Sequence, residues 1–147
     1  MLRCIVRWSA IGGVVLLAAA QVVPYGREHT NPPVRLEPPW ESPRTRAVAV
    51  RTCYDCHSNE TFWPWYSNFA PLSWLTQSDV DEGRRKLNFS RWDRPQPKAG
   101  EAAEKVRGWE MPPVYYTAFH AKAWLYGAER VALVRGLETS LGRTGHK

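Results

Sequence analysis

Nineteen consecutive residues without a charged side chain, Trp8 to Gly26, stand near the start of the sequence. About 20 helical residues cross the hydrocarbon core of a bilayer, so this run is long enough to span a membrane. Arg3 and Arg7 precede the run and no acidic residue lies near it, which favours a cytoplasmic N-terminus and export of the remainder. We therefore predict that residues 1–26 form a signal-anchor that crosses the cytoplasmic (inner) membrane once, with the following domain in the periplasm.

The same segment also fits a cleaved signal peptide. Ala18-Ala19-Ala20 is a suitable small-residue cleavage site, and cleavage there would release a periplasmic protein. The apolar run continues past this triplet to Val23, however, and is longer than most signal-peptide cores. We favour the retained anchor over the cleaved signal, and both over a buried helix of a soluble domain.

Residues 27–44 are predicted to be a proline-rich linker. Six prolines fall between Pro24 and Pro43, and such a segment favours extended polyproline II over a helix or the interior of a sheet. Two interpretations stay open at this point. The segment is either a semi-stiff tether that lifts a domain off the membrane, or an arm packed on the surface of that domain, for which Trp40 is a suitable anchor.

Residues 45–147 are predicted to form one all-α domain, because they contain no alternating strand pattern of useful length. Ser42 before Pro43 is typical of a helix N-cap, and Ser78 is predicted to cap a second helix. Gly142 is a typical residue after a helix C-terminus. About four short helices, separated by long loops rich in aromatic residues and proline, are expected near residues 44–57, 79–87, 98–107 and 128–141.

Length and charge exclude several classes of function. A chain of 147 residues is too short for a large multidomain enzyme, and three cysteines are too few for a disulfide scaffold. Twenty Lys and Arg against fourteen Asp and Glu give a net charge of +6. That excess suits acidic protein partners or anionic lipid but is not concentrated enough to predict nucleic-acid binding. Since no nucleophile–base pair or credible carboxylate pair is present, we predict no catalytic residues.

The motif that carries chemistry is Cys53-Tyr54-Asp55-Cys56-His57. On a helix, Cys53, Cys56 and His57 project from one side and place two thiols beside one imidazole. This C-x-x-C-H spacing is typical of c-type haem attachment, in which the thiols bond to the two vinyl groups and the histidine binds iron. The predicted export agrees with this interpretation, because bacteria attach haem c outside the cytoplasmic membrane.

Three other interpretations of the motif are less favoured. A thioredoxin-like C-x-x-C expects a βαβ neighbourhood, which the sequence lacks. A zinc site needs four ligands, and the motif supplies three with no second cysteine pair downstream. A structural disulfide would leave the adjacent His57 unexplained. We therefore predict one covalently attached haem c, bound through Cys53 and Cys56, with His57 as an iron ligand.

Few residues qualify as the second axial ligand of the iron, which is usually Met or His in such sites. Met111 is the only internal methionine, and the two prolines that follow it stiffen its loop. His120 is the competing candidate, whereas His29 lies in the linker and His146 near the C-terminus. We favour Met111 over His120. A site without a sixth protein ligand is the remaining alternative.

Several segments beyond the motif form a recognisable pattern: Cys53–Tyr66, Ala70–Trp74, Asp79–Arg84, Leu87–Trp92, Met111–Pro113, Tyr115 or Tyr116, His120, Ala123, Leu125 and Glu129–Arg130. In this pattern the chain resembles the bacterial haem-binding domain family of small cytochrome-c-like proteins, over nearly all of residues 45–141. The resemblance implies a cytochrome-c-like bundle around a single haem c, tethered to the membrane or periplasmic. It fits both Met111 and His120. The chain departs from the pattern at Tyr126-Gly127, where the family tends to place a Ser or Thr cap.

We therefore predict a one-electron carrier that exchanges electrons with redox protein partners, including acidic ones, at the periplasmic side of the membrane. The alternative is a haem-based sensor or a peroxidase-like enzyme with an open or displaceable sixth coordination position. The rings of Trp63, Trp65, Tyr66 and Trp74 are interpreted as a wall of the haem site or as ordinary core packing. The basic run Arg84, Arg85 and Lys86 either faces the propionates or an acidic partner, or is a solvated helix end.

Overall fold

The computed structural model describes residues 1–142, and its regular structure in that range is helical. A lone parallel bridge joins Leu36 and Arg91. The predicted all-α class with one N-terminal apolar helix is confirmed. Short 3₁₀ turns lie at Trp65–Asn68, Ala99–Glu101 and Ala121–Ala123. The α-helices of residues 1–142 are α1 (Leu2–Ala20), α2 (Pro43–Thr52), α3 (Tyr54–His57), α4 (Leu72–Lys86), α5 (Ala102–Arg107), α6 (Val114–Phe119) and α7 (Gly127–Leu141).

The N-terminal helix α1 is apolar and exposed. Its most apolar 18-residue window has a mean hydropathy of 1.6, and none of its residues is buried. Its 19 residues rise about 28 Å, close to the ~30 Å thickness of a bilayer hydrocarbon core. Among residues 1–142, α1 is the one helix long and apolar enough to cross a membrane, and a signal sequence has the same properties.

The described chain divides into two compact units. The first consists of Met1–Thr30 and Trp63–Asp79, and the second of Asn31–Phe62 and the residues from Val80 onward. The first half of α4 therefore belongs to the first unit and its second half to the second unit.

Within the first unit, the residues that follow α1 are hydrogen-bonded to the segment before α4. Gln21 Nε2 donates to the Ala70 carbonyl at 2.9 Å, and Gln21 Oε1 accepts from the Ala70 N–H at 3.1 Å. Gly26 has a φ of +80°, and a Cβ there would overlap the Ser73 carbonyl oxygen. Glycine is required at this position for both reasons. Together these contacts hold residues 21–26 against residues 70–73.

The second unit is organised around a hydrophobic core to which α5 and α7 contribute half of the buried residues. Its buried members are Ala49, Tyr54, Leu87, Phe89, Ala99, Ala103, Val106, Leu125, Leu133, Val134, Leu137 and Leu141. Helix α2 lies against α7 at Gly136, where a Cβ would overlap the side chain of Thr45. The start of α2 is capped as predicted, since Ser42 Oγ accepts from the Thr45 N–H at 3.1 Å.

Much of the proline-rich segment is packed against the rest of the second unit. The Arg35 N–H donates to the Ser90 carbonyl, and the Trp92 N–H donates to the Leu36 carbonyl, both at 2.9 Å. The ring of Trp40 lies 5.3 Å from that of Phe89 and covers the hydrophobic core. Residues 35–40 therefore have the contacts of an arm packed on the domain surface, and not those of a free tether.

Two predicted helices have different bounds in the structure. The predicted helix over 44–57 is interrupted at Cys53, which has φ −125° and ψ −30°. The Thr52 hydroxyl donates to the Val48 carbonyl at 2.8 Å, a bond that is known to bend helices. Helix α4 begins at Leu72 rather than Asp79, because the Pro71 carbonyl accepts from the Leu75 N–H and starts the helix. The predicted Ser78 cap is therefore wrong, since Ser78 lies inside α4.

The structure contains one helix, α6, that the sequence analysis did not predict. Helix α6 begins after Pro113, and its β-branched and aromatic residues give it low intrinsic helix propensity. Tyr126 precedes α7 without a side-chain cap, as the departure from the family pattern implied. Gly142 follows α7 with a φ of −63°, so it does not use the left-handed conformation typical of a glycine stop.

Candidate functional site

The C-x-x-C-H segment forms a single tight turn between α2 and α3. Cys53 ends α2 and precedes α3, and its carbonyl accepts from the N–H groups of Cys56, at 3.2 Å, and His57, at 2.9 Å. The turn thus keeps the predicted i, i+3 and i+4 relationship among the three residues although the helix is interrupted at Cys53.

The imidazole of His57 is held by two backbone carbonyls at the end of α4. His57 Nδ1 lies 3.1 Å from the carbonyl oxygen of Gly83 and 3.1 Å from that of Leu87. Carbonyl oxygens only accept, so Nδ1 carries the proton and Nε2 keeps its lone pair. Burial lowers the pKa of His57, which favours the neutral ring. A neutral imidazole whose Nδ1–H is fixed by carbonyls is the usual arrangement of an Nε2 metal ligand.

Neither cysteine of the motif forms a disulfide. Cys53 packs against the core of the second unit, and its sulfur lies 3.2 Å from the Thr52 hydroxyl. Burial raises the pKa of the Cys53 thiol to about 11, so the thiol is protonated at neutral pH. The motif therefore offers two thiols outside any disulfide beside one neutral imidazole.

Helix α4 passes very close to this motif at Gly83. A Cβ on Gly83 would overlap the carbonyl oxygen of Cys56 and would lie 3.0 Å from the Cys56 Cβ. The same residue contributes its carbonyl to His57. The sequence analysis assigned Gly83 no role, and its position inside an otherwise ordinary helix is the only signal that marked it.

A buried polar network holds the loops on either side of His57. Asn88 Nδ2 donates to Asn59 Oδ1, and the Asn59 N–H donates to Ser90 Oγ, each at 2.9 Å. The Phe89 N–H donates to the His57 carbonyl at 2.8 Å. Sequence reasoning assigned Asn88 and Ser90 only to a helix stop; their function here is to fix the loop that carries the Leu87 carbonyl.

Met111 lies in the loop between α5 and α6, half-buried against the same core as Cys53. Its N–H donates to the Lys105 carbonyl at 3.1 Å. Arg130 from α7 reaches this loop, where Nη1 donates to the Val106 carbonyl at 2.7 Å and lies 3.5 Å from that of Met111. The Arg130 guanidinium also stacks 3.6 Å from the centre of the Trp109 ring. The backbone around Met111 is therefore anchored from two helices.

His120, the competing ligand, is connected to the motif through one tyrosine. Its Nδ1–H donates to the Tyr116 carbonyl at 2.9 Å, and its ring stacks on the Tyr116 ring with centroids 4.1 Å apart. The Tyr116 hydroxyl donates to Asp55 Oδ2 at 2.5 Å, and Asp55 lies between the two cysteines of the motif. Met111 and His120 thus both belong to the unit that contains Cys53, Cys56 and His57. His146 lies outside the described residues.

Comparison with known proteins decides the family. A sequence model of the haem-binding domain family matches residues 15–139, which include the whole motif as well as Met111 and His120. The chain belongs to the haem-binding domain family. No curated protein and no solved structure matches it.

The donor set of this family member fits a haem. Two thiols outside any disulfide and an imidazole that keeps its Nε2 lone pair are the groups that a c-type haem requires. Within residues 1–142, no group of three or more His, Cys, Asp or Glu side chains has the arrangement of a metal-ion site.

The members of the predicted aromatic cluster differ in burial. Trp63 stacks on His29 with centroids 4.6 Å apart, and the indole N–H groups of Trp63 and Trp74 are buried without a protein acceptor. Trp65, by contrast, is 76% exposed, which is inconsistent with ordinary core packing.

The three basic residues at the end of α4 have different environments. Arg84 is structural: its Nε donates to the Ser58 carbonyl at 2.7 Å and its Nη2 to Asn31 and Thr61. Arg85 and Lys86 are exposed and pair with Glu82, as expected of a solvated helix end. Only these last two are accessible to a partner.

Proposed function

We propose that this haem-binding protein attaches one haem c through Cys53 and Cys56 and acts as a one-electron carrier. The observation that carries the proposal is the pairing of two thiols outside any disulfide with an imidazole whose Nδ1–H is bound by two carbonyls. Cys53 and Cys56 would hold the haem through thioether bonds to its two vinyl groups. Each thiol would add its sulfur and its hydrogen to the two carbons of one double bond, so attachment would consume no oxidant or reductant. When bound, the iron would supply the one-electron chemistry.

In this proposal His57 would hold the haem iron through Nε2, and Met111 would hold it through its thioether sulfur. Met111 is supported by its loop, because the Lys105 carbonyl and Arg130 fix the backbone on both sides of it. A sulfur held on an anchored loop loses little conformational entropy on binding, and a thioether ligand raises the reduction potential. With both axial positions filled by side chains, no catalytic residue is needed.

The location proposed for the carrier is the periplasmic face of the cytoplasmic membrane. It is supported by α1, by Arg3 and Arg7 near the N-terminus, and by the requirement that haem c be attached outside the cytoplasm. Its partners are then other redox proteins, and the net charge of +6 favours ones with acidic docking surfaces.

Haem staining of a denaturing gel tests the covalent attachment. The wild-type protein, made in a host that matures cytochromes c, is expected to give a stained band and the added mass of one porphyrin. The double variant Cys53→Ala/Cys56→Ala, made in the same host, should give the same amount of polypeptide without stain. A colourless wild-type band would overturn the proposal of haem c.

A second candidate function is a sensor or peroxidase-like enzyme with an open or displaceable sixth position. The observation that favours it is the Asp55–Tyr116–His120 connection, which places a second histidine beside the motif. His120 would then act as an acid or base near the iron. High-spin absorption features, or binding of carbon monoxide without loss of a protein ligand, would favour this function over electron transfer.

A further inference from the structure

Four large apolar side chains of the first unit are open to solvent around the start of α4. Trp65 is 76% exposed, Phe69 56%, Leu72 47% and Leu75 50%. The rings of Trp65 and Phe69 meet edge to face at 6.2 Å, and Leu72 and Leu75 lie one turn apart in the first turns of α4. We call these four residues the apolar patch. Neighbouring exposed apolar residues of this size mark a surface that binds something.

The apolar patch is fixed close to the end of α1. Ala70, between Phe69 and Leu72 in sequence, exchanges two hydrogen bonds with the side chain of Gln21, the first residue after α1. Because α1 is as long as the hydrocarbon core is thick, Gln21 lies at the lipid–water boundary when α1 spans the bilayer. Ala70 must then lie there too, and its neighbours in the patch lie at the depth of the lipid headgroups.

The chemistry around this point is that of a membrane interface. Arg27 donates to the Gln21 carbonyl at 2.6 Å, which places a cation at the C-terminal end of α1. Tryptophan rings are enriched where helices leave the bilayer, and arginine side chains near helix ends can reach the lipid headgroups. The exposed Val22 and Val23 continue the apolar surface beyond the end of α1.

We propose that the apolar patch inserts into the periplasmic lipid–water interface of the membrane that α1 spans. The chain would then contact the bilayer twice, through α1 and through Trp65, Phe69, Leu72 and Leu75. The inference rests on the proposed retention of α1 as an anchor. It assigns the exposed aromatic residues of the first unit to lipid rather than to haem.

Photocrosslinking of the full chain in its native membrane tests this inference. A photoreactive residue is introduced as Phe69→p-benzoylphenylalanine, and adducts formed on illumination are identified by mass spectrometry. The expected result is phospholipid adducts. The matched control is Phe119→p-benzoylphenylalanine on α6, because Phe119 is 82% exposed and belongs to the second unit. It is expected to give several-fold fewer lipid adducts.

The intact mass of the same sample shows whether residues 1–20 are retained, so the proposal for the apolar patch and the proposal for the anchor are tested separately. Retained residues 1–20 with no lipid adduct at position 69, or with equal labelling at positions 69 and 119, would overturn the inference and leave the anchor standing. A discrete protein adduct at position 69 would overturn it in favour of a protein partner. Loss of residues 1–20 would refute the anchor and, with it, the inference that rests on that anchor.

Discussion

Gly83 in α4 lies so close to Cys56 that no side chain can be added without displacing the backbone of the C-x-x-C-H turn. The same glycine gives its carbonyl to the His57 imidazole. Helix α4 therefore determines both where the turn lies and how the histidine ring points. The contact between Gly83 and Cys56 joins residues 27 positions apart in sequence, and it depends on the absence of one methyl group.

Replacement of Gly83 by alanine tests that dependence. We expect Gly83→Ala to lower the free energy of unfolding by about 1–3 kcal/mol, because overpacking outweighs the better helix propensity of alanine. We also expect less haem per polypeptide, since the displaced turn carries both thiols. The checks are urea unfolding and the ratio of haem stain to protein.

Gly100→Ala is the matched control, because a Cβ at Gly100 meets nothing within 4 Å. This variant should keep wild-type haem content and stability to within about 0.5 kcal/mol. Equal behaviour of the two alanine variants would show that the approach of α4 to Cys56 is not a constraint.

Replacement of the two candidate sixth ligands separates them. Met111→Ala is expected to keep covalent haem but to lose the far-red absorption band of a ferric haem bound by methionine sulfur. His120→Ala should keep that band, because in our proposal its ring packs on Tyr116 and not on iron. The reverse result, a band lost only with His120 and a spectrum unchanged without Met111, would transfer the axial role to the histidine.

The buried network behind His57 predicts a stability effect at Asn88. Asn88→Ala leaves the Ser90 N–H and Asn59 Oδ1 buried without partners, and each such group costs about 1–3 kcal/mol. We expect a loss of roughly 2 kcal/mol or more in urea unfolding of the haem-loaded protein. Asn68→Ala, which removes one exposed bond to the Trp65 carbonyl, should change stability by less than about 0.5 kcal/mol. Similar losses of stability in the two variants would show that the buried network around Asn88 does not stabilise the protein more than one exposed hydrogen bond does.

A pH dependence is expected from Glu37. Its hydrogen bonds to Arg46, at 2.6 and 2.5 Å, hold the pKa of the Glu37 carboxyl below its usual range. A carboxyl with a lowered folded-state pKa stabilises the protein above its unfolded pKa, and that contribution is lost as pH falls through the folded pKa. Glu37→Gln should therefore flatten the fall in stability below about pH 4.5.

Thermal unfolding of the haem-loaded protein between neutral and acidic pH measures this effect. Glu104→Gln, which changes an exposed carboxylate on α5, is the control and should follow the wild-type curve. An unchanged slope in Glu37→Gln would show that the pair with Arg46 contributes nothing to acid stability.

The helical class and the position of the motif could be predicted from the sequence, because they depend on local signals. Ser42 before Pro43 marks a cap through a bond only three residues long, and the spacing of Cys53, Cys56 and His57 is set within one turn. The family pattern added the expectation of a haem. Each of these features is determined by residues adjacent in the chain.

The parts that sequence reasoning missed depend on contacts between distant residues. The role of Gly83 appears only when α4 lies against Cys56, and Asn88 and Asn59 meet across 29 residues. The start of α4 is a different case: Ser78 has the composition of a cap, but the Pro71 carbonyl accepts from the Leu75 N–H and starts the helix earlier.

The two carbonyls that hold the His57 imidazole have a consequence for the speed of a carrier. In the proposed carrier, a ring already held by α4 would not need to rotate when the charge on the iron changes by one. Little nuclear rearrangement would then accompany each arrival or departure of an electron, and the activation barrier would stay small. That rigidity would come from main-chain oxygens at the end of α4, and it would not depend on which side chains occupy the exposed positions of that helix.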